Sequence, residues 1–191
     1  MQSSPRTTPT LLRLGGTAAV LAGLCYGAAG YLDRPGISGY IDALLSVLSV
    51  AFPALFLGGL LGLGTQLPLA TRTDFVSSAG VVGFVLACFG AVLGALGALG
   101  LGGTATTEWW WVLLLAGLTL MGLAVFLKGG LRLLGAVVSI SAALGWVSLL
   151  TDPALSGVLV SLRSVHVAFA AAFCLSSMLW GAILMVPYRG H

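Results

Sequence analysis

The feature that most constrains this chain is the placement of its charges, which leaves six long stretches with none. Eight basic and five acidic residues are spread over 191 positions, whereas 59% of the residues are hydrophobic. A helix of about 20 apolar residues spans the hydrocarbon core of a bilayer. Helices are required because lipid offers the backbone no hydrogen-bond partner. The sequence therefore predicts an all-α, polytopic membrane protein with a bundle of six transmembrane helices. The charge-free stretches are 14–32, 43–71, 75–107, 109–127, 133–151 and 164–188.

The connections between these stretches are too short to hold a soluble domain, so we predict a single transmembrane domain over 1–191. Residues 1–10, rich in Ser, Thr and Pro, are predicted to be a disordered tail. Two arginines before the first apolar stretch invite a signal-peptide interpretation, but a signal core of about 7–15 residues is shorter than this stretch. We therefore predict a first helix. The spans are placed at about 12–32, 41–64, 75–101, 109–127, 132–150 and 164–187.

Basic residues predict the orientation of the chain. With a cytoplasmic N-terminus, six of them lie inside and only Arg34 and Arg163 lie outside, as the positive-inside rule requires. We therefore expect both termini in the cytoplasm. Seven Arg to one Lys, with abundant Ala and Gly, is typical of a bacterial high-GC genome, so the bacterial cytoplasmic membrane is the expected location. The six inside residues are Arg6, Arg13, Arg72, Lys128, Arg132 and Arg189.

Small residues recur every four positions along predicted helix 3. One stripe starts at Gly83 and another at Gly90. Such stripes let helices approach closely in lipid, where van der Waals contact drives association. We expect this helix to pack centrally in the bundle; the alternative is that the same surface joins copies of the chain or a larger membrane complex. At the start of helix 4, Trp109, Trp110 and Trp111 predict an interfacial aromatic belt.

A loop motif occurs twice and predicts an internal repeat. With Arg34 treated as an insertion, 13–39 aligns with 132–157 and pairs Asp33 with Asp152. The two units lie four spans apart, so they enter the membrane in the same direction and form a parallel repeat of helices 1–2 and 5–6, unlike the inverted repeats of many transporters. The motif can be explained as helix punctuation, because Pro ends one helix and Ser caps the next. The alternative is a cation site at Asp33 and Asp152. The other pairs are Arg13 with Arg132, Gly16 with Gly135, Pro35 with Pro153, Ser38 with Ser156, and Gly39 with Gly157.

A polar group at the outer ends of helices 2 and 6 is the best candidate site. Arg163 and His166 share a helix face at i, i+3, and Asp42 is predicted at the same depth on helix 2. Ser46 and Ser49 continue a polar line inward from Asp42. Ionisable groups near membrane depth are costly and often functional, so a solute or proton site is one interpretation. An interfacial ion pair with snorkelling side chains is the other.

Other chemistries fit the sequence poorly. The segment 36–39 has the GxSG pattern of rhomboid-type intramembrane proteases, but here the serine precedes helix 2 and no matching histidine or asparagine follows on that helix. His166 is the single histidine within a span, which disfavours a bis-histidine haem. Three scattered thiols offer no zinc geometry. The net charge of +3 comes without a basic patch, so nucleic acid is not expected as a partner. We expect no cofactor and no catalytic residue.

The Arg-Leu-x-Gly pattern that opens an apolar helix at Arg13 and again at Arg132 resembles small six-span bacterial membrane proteins of unknown function. The resemblance rests on layout and on the Gly, Ala and Leu texture, and it implies no activity or site residue. Two hypotheses follow. The chain is a structural or accessory membrane protein that acts through helix packing, or it carries a small solute or ion through the bundle using Asp42, Arg163 and His166.

Overall fold

The computed structural model of the chain describes residues 8–32, 40–65, 75–101, 103–128, 132–151 and 163–186. These residues form six helices and contain no strand. Each helix includes a segment of 19 to 24 residues that is long and apolar enough to cross a membrane. The predicted six-helix membrane class is therefore confirmed. The helices are α1 (Thr8–Leu32), α2 (Tyr40–Gly64), α3 (Phe75–Ala98), α4 (Thr104–Lys128), α5 (Arg132–Leu150) and α6 (Arg163–Met185).

The six helices are arranged as a closed ring in chain order. Each helix packs against the next, and α6 packs against α1 to complete the circle. Neighbours run antiparallel: near one end of the ring Gly15 of α1 meets Gly62 of α2, and further along the pair Tyr26 meets Phe52. The start of α1, the end of α4 and the start of α5 therefore share one end of the bundle.

Glycines let the backbones in this ring approach closely. A Cβ added at Gly62 would lie 2.7 Å from the Cα of Gly15, and one at Gly181 would lie 2.7 Å from the carbonyl oxygen of Gly16. Both distances are far shorter than a real Cβ contact, so only glycine fits. Close approach increases van der Waals contact, the main force that holds helices together in lipid.

Aromatic side chains fill the axis of the ring. They come from α1, α2, α4 and α6, and the centroids of neighbouring rings lie 4.2 to 6.2 Å apart. Buried leucine, valine and methionine side chains of α2, α4 and α5 extend the same core. The bundle is therefore a packed body rather than a tube. We call the following residues the aromatic cluster: Tyr26, Phe52, Phe56, Trp110, Trp111, Phe173 and Trp180.

The small-residue stripes of α3 face α4. Gly83, Ala87, Gly90 and Gly94 are buried, and a Cβ added at Gly83 would lie 2.8 Å from the carbonyl oxygen of Gly117. The surface that the sequence offers equally to a neighbouring helix or to a second chain is thus occupied by a helix of the same chain. In the ring, α3 lies between α2 and α4 and presents its opposite face outward.

The tandem tryptophans at the start of α4 differ from the predicted belt. Trp109 is 59% exposed, as a belt residue would be, but Trp110 and Trp111 are half-buried and pack within the aromatic cluster. Consecutive residues on a helix are about 100° apart, so three in a row cannot all face lipid. The helix also begins earlier than the predicted 109, at Thr104.

Two aligned glycines of the predicted repeat have comparable surroundings. Gly16 of α1 contacts α6, and Gly135 of α5 contacts α4 around Phe126. In both cases the contact is with the preceding helix of the ring. The loop motifs of the repeat lie outside the described residues, and the parallel repeat itself stays a prediction.

Candidate functional site

The five residues predicted to form a polar site fall at the edge of the described chain. Asp33 and Asp152 lie outside the described residues. Asp42 lies in the first turn of α2, and Arg163 and His166 lie in the first turn of α6. The side chains of these three residues are also outside the described part, so whether they meet stays a prediction.

The helix register nevertheless places these positions relative to the bundle. His166 lies seven residues before Phe173 and 14 before Trp180, which is about two and four turns. Both of those residues are buried in the aromatic cluster. Asp42 lies 14 residues before Phe56, a third buried member of the cluster. Position 166 therefore shares a helix face with residues buried at the axis, whereas position 42 lies four and seven residues before Ser46 and Ser49, which are exposed.

The polar line predicted to lead inward from Asp42 is exposed rather than buried. Ser46 and Ser49 are both exposed, and the Ser49 hydroxyl donates a hydrogen bond to the backbone carbonyl of Ser46 at 2.8 Å. The hydroxyl of Ser49 is thus satisfied within its own helix. Further along α2, the buried side chains are apolar and include Phe52 and Phe56.

Polar groups that the sequence reasoning missed lie deeper in the bundle. Ser141 and Ser177 are fully buried, as is Trp180, on the inward faces of α5 and α6. The Ser141 hydroxyl donates to the carbonyl of Val137 at 2.9 Å. The Ser177 hydroxyl and the indole nitrogen of Trp180 are buried without a hydrogen-bond partner among the described residues. The sequence does contain a signal for these groups. Ser177 lies three residues before Trp180, and Trp180 lies seven residues after Phe173, so the three residues lie on one helix face.

Among the described residues, side-chain hydrogen bonds join α3 to α4 and α4 to α5. The indole Nε1 of Trp146 on α5 donates to Thr119 Oγ1 on α4 at 3.2 Å. At the end of α4, Lys128 Nζ donates to Ser77 Oγ in the first turn of α3. Ser77 is buried, so the lysine reaches back across the α3–α4 pair. These contacts add side-chain hydrogen bonds to the packing of α3, α4 and α5.

The cysteines of the described chain are dispersed over the bundle. Cys25, Cys88 and Cys174 are free thiols on three different helices. Within the described ranges, His, Cys, Asp and Glu side chains form no group of three or more that could hold a metal ion. Cys174 is buried, and Cys25 and Cys88 are partly buried.

Comparison of the chain with known protein families, with characterised proteins and with solved structures finds no match.

Proposed function

We propose that the chain is a structural or accessory component of a cell membrane that acts through helix packing with itself or with a larger complex. The observation that carries this proposal is the filled axis of the ring. The rings of Phe56 and Phe173 stack across the bundle with their centroids 6.2 Å apart, and the ring of Trp180 packs edge-on against the ring of Phe56. A solute would have to displace these rings to pass, whereas a packing role needs only the outer surface.

The outer face of α3 is the surface we assign to such contacts. Val85 and Phe89 are 58% and 55% exposed there, on the side opposite the buried glycines. Exposed aromatic and branched side chains on one helix face are suited to van der Waals packing against another helix in lipid. The glycine stripes cannot serve this purpose, since α4 covers them.

Mass measurement of the protein purified in mild detergent tests the packing role. The chain has a mass of 19.4 kDa, and we expect a larger species that contains several copies or a second membrane protein. Phe89→Ala combined with Val85→Ala should reduce that species to the monomer. Leu175→Ala, at an exposed position on α6, is the matched control and should leave it intact. A monomer that co-purifies with nothing would refute the proposal.

The predicted location and orientation belong to the same proposal. We place the chain in the bacterial cytoplasmic membrane with both termini in the cytoplasm. The end of the ring that carries Arg13, Lys128 and Arg132 is then the cytoplasmic end, in keeping with the positive-inside rule. A reporter that is active only in the cytoplasm should be active when fused after His191. If a reporter that is active only outside the cytoplasm works at this position, the topology is the reverse of the one proposed.

Transport of a small solute or ion is the second candidate. The observation that favours it is the register of α6, which puts position 166 on a helix face that continues to the buried Phe173 and Trp180. Asp42 and Arg163 would then bind the solute at the outer entrance. Proteoliposomes that contain a trapped pH-sensitive dye should show a proton or cation flux that falls severalfold in Asp42→Asn and in Arg163→Gln. If neither variant changes the flux, this function is wrong.

A further inference from the structure

The Arg-Leu-x-Gly pattern places an exposed arginine near the start of two helices. Arg13 lies in α1 and Arg132 begins α5, and both side chains are exposed. Within the described ranges, neither guanidinium has a hydrogen-bond or ion-pair partner. The lysine at the same end of the ring differs, because Lys128 Nζ donates to Ser77 Oγ on α3. The two arginines therefore present their charge to a group from outside the chain.

The acidic residues of the described ranges lie at the opposite end of the bundle from these arginines. They are Asp42, near the start of α2, and Glu108, near the start of α4. Both helices run antiparallel to α1 and α5, so both carboxylates are a full membrane span away. A cation at the edge of the hydrocarbon is costly unless an anion or water faces it. Charge complementarity at this end therefore calls for an anionic group.

The glycine of each pattern brings the arginine beside the end of a neighbouring helix. A Cβ added at Gly16 would lie 2.5 Å from the carbonyl oxygen of Gly181 in α6, and one at Gly135 would lie 2.6 Å from the Cα of Phe126 in α4. Each arginine precedes its glycine by three residues, a spacing that places both on one face of the helix. In both copies the arginine therefore lies on the side of the preceding helix of the ring, one turn nearer the membrane surface than the close contact.

Exposed apolar side chains continue from each arginine toward the middle of the membrane. Leu14 and Leu133, which directly follow the arginines, are 62% and 70% exposed. Leu21 and Ile140 are also exposed and lie seven residues further, which is about two turns along the same helix face. Each copy of the pattern thus combines a cation at the membrane surface with an apolar stripe beneath it. A phospholipid has the matching order of phosphate and acyl chain.

We propose that each Arg-Leu-x-Gly pattern binds one anionic phospholipid. The guanidinium of Arg13 or Arg132 donates paired hydrogen bonds to the phosphate oxygens, a geometry that suits arginine. An acyl chain lies against the leucine that follows and against the exposed side chain two turns further. Basic residues beside transmembrane helices are a recurrent way to hold anionic headgroups. A zwitterionic lipid fits less well, because its own ammonium group already neutralises its phosphate.

Native mass spectrometry of the full chain in mild detergent tests the two sites by counting bound lipids. Dioleoyl-phosphatidylglycerol and dioleoyl-phosphatidylcholine are added separately, so that only the headgroup differs. We expect two tight binding steps for the first lipid and none for the second. Arg13→Gln and Arg132→Gln should each weaken one step about fivefold, the contribution of one basic residue near an anionic membrane surface. The double variant should bind both lipids alike.

Lys128→Gln is the matched control, because it removes the same charge at the same end of the ring from a side chain that is bonded to Ser77. It should leave both binding steps intact. Arg132→Lys keeps the charge but loses the paired hydrogen bonds, so it should bind more weakly than the native chain and more tightly than Arg132→Gln. Equal binding of the two lipids by the native chain would overturn the proposal. Equal weakening by Lys128→Gln and Arg13→Gln would also overturn it, since general charge attraction would then explain the binding.

Discussion

Gly90 of α3 illustrates at the scale of one residue how closely the helices approach. A Cβ added there would lie 2.6 Å from the backbone nitrogen of Leu114 and 2.8 Å from the carbonyl oxygen of Trp110. Both atoms belong to the backbone of α4 and cannot rotate away. A methyl group at this position therefore has to push α3 and α4 apart along their shared interface.

We expect Gly90→Ala to lower the free energy of unfolding by about 1–3 kcal/mol, the usual cost of overpacking. Gly27→Ala is the control, because its Cβ would lie 3.7 Å from the sulfur of Cys174, an ordinary contact. In that helix alanine should be neutral or stabilising, since glycine is the poorer helix former. Unfolding of both variants in mixed micelles measures the difference. Equal effects would mean that the two glycines are equivalent.

The direction of a single side chain was the part that the sequence predicted least well. Trp110 and Trp111 have the composition of an interfacial belt, yet they pack with Phe52 and other members of the aromatic cluster. Tryptophan suits both settings, because it is largely apolar with one polar atom. Only the rotation of α4 about its axis decides between them. In a helix that is apolar all round, periodicity does not encode that rotation.

At the scale of the element, the α4–α5 pair combines close packing with one side-chain hydrogen bond. Trp146 donates to Thr119 across the interface, while Gly122 lies against Ser139 and Gly135 against Phe126. Both glycine contacts lie between this bond and the end of α4, and they allow the close approach that brings the indole within bonding distance. Thr119 also donates to the carbonyl of Leu115 at 2.8 Å, which orients its oxygen to accept.

We expect Trp146→Phe and Thr119→Val to be coupled by about 0.6 kcal/mol, the average for hydrogen bonds between membrane helices. The coupling is the difference between the effect of the double variant and the sum of the two single effects. Trp146→Phe combined with Ser176→Ala, a residue of α6 that bonds within its own helix, should give additive effects. Additivity in the first pair as well would show that the Trp146 bond contributes nothing to folding.

The existence of all six helices could be predicted from the sequence. Runs without charge fix six crossings, because burying Asp, Glu, Lys or Arg in lipid is costly. Which helices pack against each other could be predicted less well. The stripes around Gly83 and Gly90 indicate close packing, but a small-residue surface fits a helix of the same chain or of another chain equally well. The choice of α4 follows from the short connection between α3 and α4, which favours antiparallel neighbours.

At the scale of the whole molecule, Phe173 packs against aromatic side chains of several helices. Its ring lies 5.9 Å from that of Tyr26 on α1, 6.2 Å from Phe56 on α2 and 5.8 Å from Trp111 on α4. One side chain of α6 thus contacts three other helices, two of which are not its neighbours in the ring. Removing its ring would leave a cavity lined by side chains from α1, α2 and α4.

Phe173→Ala should lower the free energy of unfolding by about 3–5 kcal/mol, the range seen when a buried phenylalanine is truncated. Leu175→Ala on the same helix is 67% exposed and should cost much less, because lipid can fill the space that it leaves. Thermal or detergent-induced unfolding compares the two. A similar loss for both variants would contradict the idea that the axis holds the ring together.

The candidate polar site belongs to the same scale and could be predicted only as a set of positions. Asp42, Arg163 and His166 come from helices that are distant in sequence, so their meeting depends on how the whole ring closes. Burial of Phe173 and Trp180 indicates that position 166 lies on the inward face of α6, whereas exposure of Ser46 and Ser49 puts position 42 on an exposed face of α2. The interior hydroxyls escaped notice because serine is common in membrane helices and is usually satisfied within its own helix.

Because α1 and α6 pack against each other, the first and last helices of the chain are neighbours in the bundle. Thr17 donates to the sulfur of Met185 at 3.4 Å, so the first helix begins beside the end of the last. A linker that joins these ends, with new termini opened between Lys128 and Arg132, should give a circular permutant with the same six neighbours and the same sidedness. We expect this permutant to insert and unfold like the original chain, whereas new termini between α3 and α4 would start the chain on the opposite side of the membrane.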